Sequence, residues 1–337
     1  MSMSTYIPDS FAGPNFNKKL LILLRSAGID SIIVHSILQR PIVGGMWSIQ
    51  LPDVPEEKWK QPNFRLVLHA QDFVNWYKNT SCPELLWIEK HYTLEQQRKI
   101  IFLHWEHSLN DCYTGLIKCV EFPSHSYELV HQLKERWDEW KDVHNKDIGY
   151  NFICLNGQPK PHRNKLHDIL RDEPTGYTTH GYRQPAPFAP YIDYNWNNTN
   201  NFINLMPLYQ QAKSSIVSET IYSDSPGIIT EKTLLAIAAK HPFMCIGHIN
   251  IHREIAERGF ENFDNLFDLS YDTLDEEHRL DAAIDLNLPM LQDPNWDTSA
   301  AIDKTERNFD FLMNDYTKSI EQRAQKQIYK IMAESFD

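Results

Sequence analysis

Apolar positions along the chain fall into two alternating rhythms. Short aliphatic or β-branched runs at 31–35, 64–69, 99–104 and 115–120 have the length and composition of strands, and the run KLLILL at 19–24 reads the same way. Between them, 94–99 and 127–140 space their apolar side chains three and four apart, which predicts helices. The polar stretch KDVHNKDIG at 141–149 has the composition of a linker, and the alternation resumes after it. Residues 150–155 (YNFICL) read as a strand, 156–163 as a turn and 164–171 as a helix. A β-branched run at 215–217 stops at Ser218 and Glu219, and Ser, Asp, Pro and Gly punctuate 223–227 as a loop. Leu234, Leu235, Ile237 and Ala238 then recur at helical spacing, and 243–246 is a continuous apolar run suited to a strand buried on both faces, closed by Gly247. Strands alternating with helices predict an α/β architecture with mainly parallel sheets. Repetition of the alternation on both sides of 141–149 predicts two Rossmann-like domains, 1–145 and 150–300, followed by C-terminal helices. Thr273-Leu-Asp-Glu276 matches a capping box opening a helix toward Leu286. Residues 303–336 form a long amphipathic pattern with Phe309, Leu312, Met313, Ile320, Ile328 and Ile331 on one side.

Composition bounds this picture. At 337 residues and 42% apolar content, the chain suits two domains with real cores. Its five cysteines are odd in number and scattered, with no C-x-x-C spacing, which reads as reduced core thiols. The N-terminus lacks a basic region followed by an apolar run, and no stretch approaches the ~20 apolar residues of a membrane span, so a cytoplasmic protein is expected. The net charge of -12 is uneven: residues 1–150 hold 16 basic and 18 acidic side chains, residues 151–337 hold 17 and 27. Within 261–297 there are eleven acids and a single base, Arg279, which reads as a solvated acidic face. So acidic a chain is a poor general binder of nucleic acid, although the near-neutral first half leaves room for a local basic groove.

The candidate chemistry sits at turns. Glu219 falls at the carboxyl end of a strand. Thr230 is placed to cap the next helix, with Glu231 and Lys232 in its first turn. A helix N-terminus attracts anions, and a lysine beside it binds phosphate as a point charge. In the turn at 156–163, Asn156, Lys160, His162 and Arg163 are residue types that hold a pyrophosphate. The plainer alternatives are ordinary first-turn charges and a basic surface turn. In the first half, His69 and Asp72 follow one strand, and His104, Glu106 and His107 follow another. Asp72 and Glu106 are candidate general bases, though each equally suits a helix start. His104 and His107 do not form H-E-x-x-H and have no third ligand by spacing, so they read as non-metal residues. Gly44 and Gly45 let backbone approach a ligand or simply make a tight turn. The aromatic-polar run at 191–202 suits stacking on a sugar or base, or an ordered surface loop. No convincing D-x-D loop is present, so any transfer chemistry is expected to be metal-independent.

The phrase SETIYSDSPGIITEKTLLAIAAKHPFMCIG resembles the donor-binding motif of the α1,3-fucosyltransferases, in which an acid, a short loop, Thr-Glu-Lys, an Ala-containing helix and a Pro-led strand follow in order. Here these are Glu219, Thr230, Glu231, Lys232, Ala236 and Pro242. The resemblance implies that Glu231 binds the nucleotide ribose, that Lys232 binds its phosphates, and that Arg163, after the Asn156 turn, contacts the donor diphosphate. Thr220 stands where that family has Asn, Ile228 where it usually has an aromatic residue, and the loop is longer, which leaves sugar and base open. The likeness covers about a third of the chain, residues 150–271. The chain also is similar to uncharacterised glycosyltransferase-like proteins encoded by tailed phages, including the run at 259–272. These likenesses imply a glycosyltransferase B fold of two facing Rossmann-like domains. The first would serve the acceptor and 150–300 the nucleotide sugar, and the terminal segment 301–337 is of the kind that crosses back to the first domain. The implied activity is transfer from a nucleotide-diphosphate sugar, with no other cofactor, to a hydroxyl on a glycan or on a hydroxymethylated DNA base. The rival readings are a non-catalytic nucleotide- or sugar-binding protein on the same fold, and a capsid-associated interaction protein.

Overall fold

The computed structural model describes residues 13–35, 38–39, 48–49, 51–69, 83–104, 113–157, 159–180, 203–224 and 228–334. The chain divides into two compact units, residues 1–128 with 318–337, and residues 129–317. The division falls inside the helix Ser124–Glu135, and the polar stretch 141–149 lies within the second unit. Among the described residues no helix is long and apolar enough to cross a membrane.

The strands of the first unit are β1 (Asp30–His35), β2 (Leu38–Gln39), β3 (Ser48–Ile49), β4 (Phe64–His69), β5 (Ile100–His104) and β6 (Lys118–Glu121). Four of them form a parallel sheet in the order β1-β4-β5-β6, while β2 and β3 pair antiparallel. Every residue of β4 and β5 is buried, as the continuous apolar runs require of central parallel strands. Trp59, Phe64, Leu66, Leu68, Leu85, Ile88, Ile100 and Phe102 pack on one side of the sheet. The run at 19–24 is not a strand but part of the helix Pro14–Ser26. The longer window explains why: Phe16, Leu20, Leu23 and Leu24 are buried at helical spacing whereas Ile22 is half exposed, and Pro14 opens the first turn. Gly28, at φ +73°, takes the left-handed position just past the helix end and turns the chain into β1. Only the second half of the expected strand at 115–120 pairs, as β6.

In the second unit β7 (Tyr150–Asn156), β8 (Gly176–His180), β9 (Ala212–Ser218) and β10 (Phe243–Ile246) form a parallel sheet in the order β10-β9-β7-β8. The helix Pro161–Leu170 connects β7 to β8, and Glu231–Ala238 connects β9 to β10. The short polar strand β8, GYTTH, carries no apolar run that would mark it in the sequence. Because β8 lies on one side of β7 and β9 on the other, the connections diverge between β7 and β9. In open α/β sheets that point, beyond the carboxyl ends of the strands, is where ligands bind.

The C-terminal third differs from the sequence pattern in two places. The helix Glu276–Leu291 is capped by Asp275, whose carboxylate accepts from His278 N–H at 3.0 Å, rather than by Thr273. The amphipathic pattern at 303–336 is two helices, Ile302–Asn314 and Tyr316–Glu334, interrupted at Asp315. Within the first unit, Tyr127 Oη donates to Glu321 at 2.6 Å and Glu121 N–H donates to Gln327 Oε1 at 2.8 Å, holding the last helix there. Nor is the acid-rich stretch a uniformly solvated face. Asp272 accepts both Ile251 N–H and His252 N–H at 3.0 Å, placing a carboxylate at the start of the helix Ile251–Glu257. Asp264 pairs with Lys304 at 2.6 Å, and Glu261 pairs with Arg307.

Candidate functional site

The carboxyl ends of β7 and β9 gather eight of the residues that the sequence singled out. Asn156 and Ser218 end the two strands, and the helices Pro161–Leu170 and Glu231–Ala238 begin just beyond them. Pro161 at the first helical position removes an N–H that would have been orphaned there, which fixes where the first helix starts. Thr230 occupies the N-cap of the second helix in extended conformation.

Glu219 is fully buried and its carboxylate is saturated by its own chain. Oε1 accepts Thr230 N–H at 2.9 Å and the Thr233 hydroxyl at 2.6 Å; Oε2 accepts the Thr230 hydroxyl at 2.5 Å and Thr220 N–H at 3.2 Å. A carboxylate at a helix N-terminus is favoured by the helix dipole, and here it does the capping that the Thr230 side chain does not. The acid thus pins the end of β9 to the start of the helix. Thr233, one turn into the helix, carries no sequence signal of this role.

The cations surround this clamp. Lys232 Nζ donates to Thr220 Oγ1 at 3.2 Å and Thr230 Oγ1 at 3.3 Å, and pairs with Glu231. Lys160 Nζ donates to Thr220 O at 2.6 Å. Two ammonium groups therefore converge on one threonine, one on its carbonyl and one on its hydroxyl. Arg163 is buried and donates to Ser218 O at 3.1 Å. Burial lowers its pKa, and the carboxylates of Glu231 and Glu219 counter this. Burial, Arg163 and Lys232 together bring Lys160 down to about 8. Among these five groups the positive charges outnumber the negative by one, an arrangement that attracts an anion. At the strand ends, Asn156 Oδ1 and Ser218 Oγ are buried and have no hydrogen-bond partner among the described residues.

His162 lies between the two loops. Its Nε2–H donates to Glu219 O at 3.1 Å, and its ring stacks on Tyr222 with centroids 4.9 Å apart. Burial, reinforced by Arg163, lowers its pKa from the ordinary 6.5 to about 4. The unfolded chain therefore takes up a proton near pH 6.5 that the folded chain refuses until about pH 4. The stability from neutral His162 is fully present above pH 6.5 and is lost on descending toward pH 4, by up to about 3 kcal/mol. In urea titrations across pH 4–8, His162→Phe is expected to flatten this part of the acid slope. An unchanged slope would contradict the assignment.

In the first unit His69 and His104 end β4 and β5 and are both fully buried. His69 Nε2 lies 3.1 Å from Ser124 Oγ, so one ring nitrogen is engaged by a buried hydroxyl. Asp72, Glu106, His107, Gly44, Gly45 and the 191–202 run lie outside the described residues. Among the described residues no three His, Cys, Asp or Glu side chains are grouped to hold a metal ion. Cys119, Cys154 and Cys245 are free thiols, and burial pushes the first two up to about 12. The chain matches no family model, no curated protein and no solved structure.

Proposed function

We propose that the protein is a nucleotide-sugar-dependent glycosyltransferase whose second unit binds the donor. The observation that carries this reading is the convergence of Lys160, Arg163 and Lys232, with two helix N-termini, at the switch point between β7 and β9. A pyrophosphate would accept from Lys160 and Lys232 in place of Thr220, with Arg163 as a guanidinium donor behind them. The same cations would stabilise the charge that develops on the leaving diphosphate as the sugar–oxygen bond breaks. Glu231, beside Lys232, is the ribose-binding residue of this reading, and Thr230 orders the loop. Glu219 takes a supporting role, because its four acceptor positions are filled by its own chain. Asp72 or Glu106 is the base of this reading. The acceptor is a glycan or a hydroxymethylated DNA base, and the architecture proposed is the glycosyltransferase B fold.

Incubation with a panel of nucleotide sugars is expected to release nucleoside diphosphate slowly, and to do so in the presence of a chelator. Activity lost to the chelator and restored by Mn²⁺ would contradict the metal-independent mechanism. The second reading, a non-catalytic nucleotide-binding protein, is favoured by the saturation of Glu219 and predicts binding without release.

The affinity should depend on pH in one direction. Lys160 carries its charge below about pH 8 and loses it above, so nucleoside diphosphate binding is expected to weaken by about tenfold from pH 7 to pH 9.5. Lys160→Met should bind weakly at both pH values, with that dependence removed. A wild-type affinity independent of pH over this range would contradict the role of Lys160.

A further inference from the structure

Arg279 is the single base among the eleven acids of 261–297, and it is completely buried. Its guanidinium is held by four acceptors. Nε donates to Leu274 O at 2.9 Å, Nη1 to Ser223 O at 3.0 Å and to Gly247 O at 2.8 Å, and Nη2 to Asp224 Oδ1 at 2.7 Å. The guanidinium carbon also lies 5.3 Å from the centre of the Tyr222 ring, the ring on which His162 stacks. Tyr222 is fixed at its other end, its hydroxyl donating to Glu276 O at 2.8 Å and accepting Leu280 N–H at 2.9 Å. One side chain on the helix Glu276–Leu291 thus ties the loop after β9 to the loop after β10.

We propose that Arg279 is a positioning residue of the anion site, holding the 220–224 loop so that Thr220 presents its carbonyl to Lys160 and its hydroxyl to Lys232. Removing a charge from water is costly, and an apolar side chain of similar volume would fill the same space without that cost. What an apolar side chain does not supply is a planar fork of donors reaching carbonyls on two loops at once. Three of the four acceptors lie on the loops that leave β9 and β10. Thr220 stands three residues before Ser223 in the same loop, and its two contacts to ammonium groups depend on the path of that backbone. The aromatic stack carries the same constraint to His162, and so to the first turn of the helix Pro161–Leu170.

The inference rests on the anion-site reading, so its test separates the two. Inorganic pyrophosphate is titrated calorimetrically into wild type, Arg279→Met, Asp224→Asn and Leu312→Ala between pH 7 and pH 9.5. Leu312→Ala removes a buried side chain in the helix Ile302–Asn314 and serves as a control for lost stability. Arg279→Met is expected to bind at least ~10-fold more weakly at pH 7 and to lose much of the further weakening above pH 8, because a Lys160 no longer held beside Thr220 contributes less to the bound anion at any pH. Asp224 is half exposed, so Asp224→Asn stays folded and should show a smaller loss of the same kind. Leu312→Ala should keep both wild-type affinity and wild-type pH profile at a comparable loss of Tm. Wild-type affinity and profile in Arg279→Met and Asp224→Asn would overturn the inference alone. So would equal losses in Arg279→Met and Leu312→Ala. Absence of pyrophosphate binding by wild type would overturn the site itself, and the role of Arg279 with it.

Discussion

Lys232→Met is expected to weaken nucleoside diphosphate binding by ~10- to 100-fold while leaving the protein folded. The ammonium reaches Thr220 in the loop beyond β9 and Thr230 and Glu231 at the start of the following helix, and its side chain is only partly buried. Hydrogen bonds to charged groups are worth roughly 1.5–3 kcal/mol each, and a phosphate replacing Thr220 would gain at least one. Loss of the cation also removes the ion pair that offsets part of the Glu231 charge beside the bound phosphate, which adds to the loss. The stability cost is small by comparison, because partly exposed ion pairs contribute at most about 1 kcal/mol. Equilibrium titration with Tm measured on the same samples checks both halves. A Tm that collapses together with binding would instead mark Lys232 as structural.

Glu219→Ala should act the other way round, destabilising the second unit by about 3–5 kcal/mol. The substitution leaves Thr230 N–H, Thr220 N–H and two threonine hydroxyls without their acceptor. It also removes a negative charge from a helix N-terminus amid three cations. Urea denaturation would read this directly. The sequence reading groups Glu219 with the expected donor-binding residues, and the two roles predict different outcomes for Glu219→Gln. A ligand contact would cost affinity at nearly unchanged stability. The clamp described above would cost stability, because the amide can accept only through its single oxygen.

Much of the second unit was legible in the sequence because its signals are local. The run at 243–246 is β10 to the residue, and β7 extends the expected strand by one. Glu219 does follow the end of β9, and Thr230 does occupy the N-cap position of the helix that starts at Glu231, although Glu219 and not the Thr230 side chain supplies the acceptor. What was not legible depends on partners distant in sequence. The saturation of Glu219 involves Thr233, fourteen residues away, and no spacing rule announces it. Arg279 lies 56 residues from Ser223, so a count of charges placed it on a solvated face although its isolation among acids was the one available signal. The 19–24 run misled for a different reason. Five apolar residues in a row, 20–24, satisfy a strand pattern and a helix pattern equally, and the tie is broken by Phe16 and Pro14 outside the window. β8 is too polar to be recognised, and it forms because β7 offers it a parallel partner.

Calorimetric titration of nucleoside diphosphates into wild type and a Lys160→Met/Lys232→Met double variant at pH 7 tests most directly whether the β7–β9 switch point is a phosphate site. The account predicts saturable binding by wild type and at least ~100-fold weaker binding by the folded double variant. Binding of equal strength in the two proteins, or none in wild type, would contradict it.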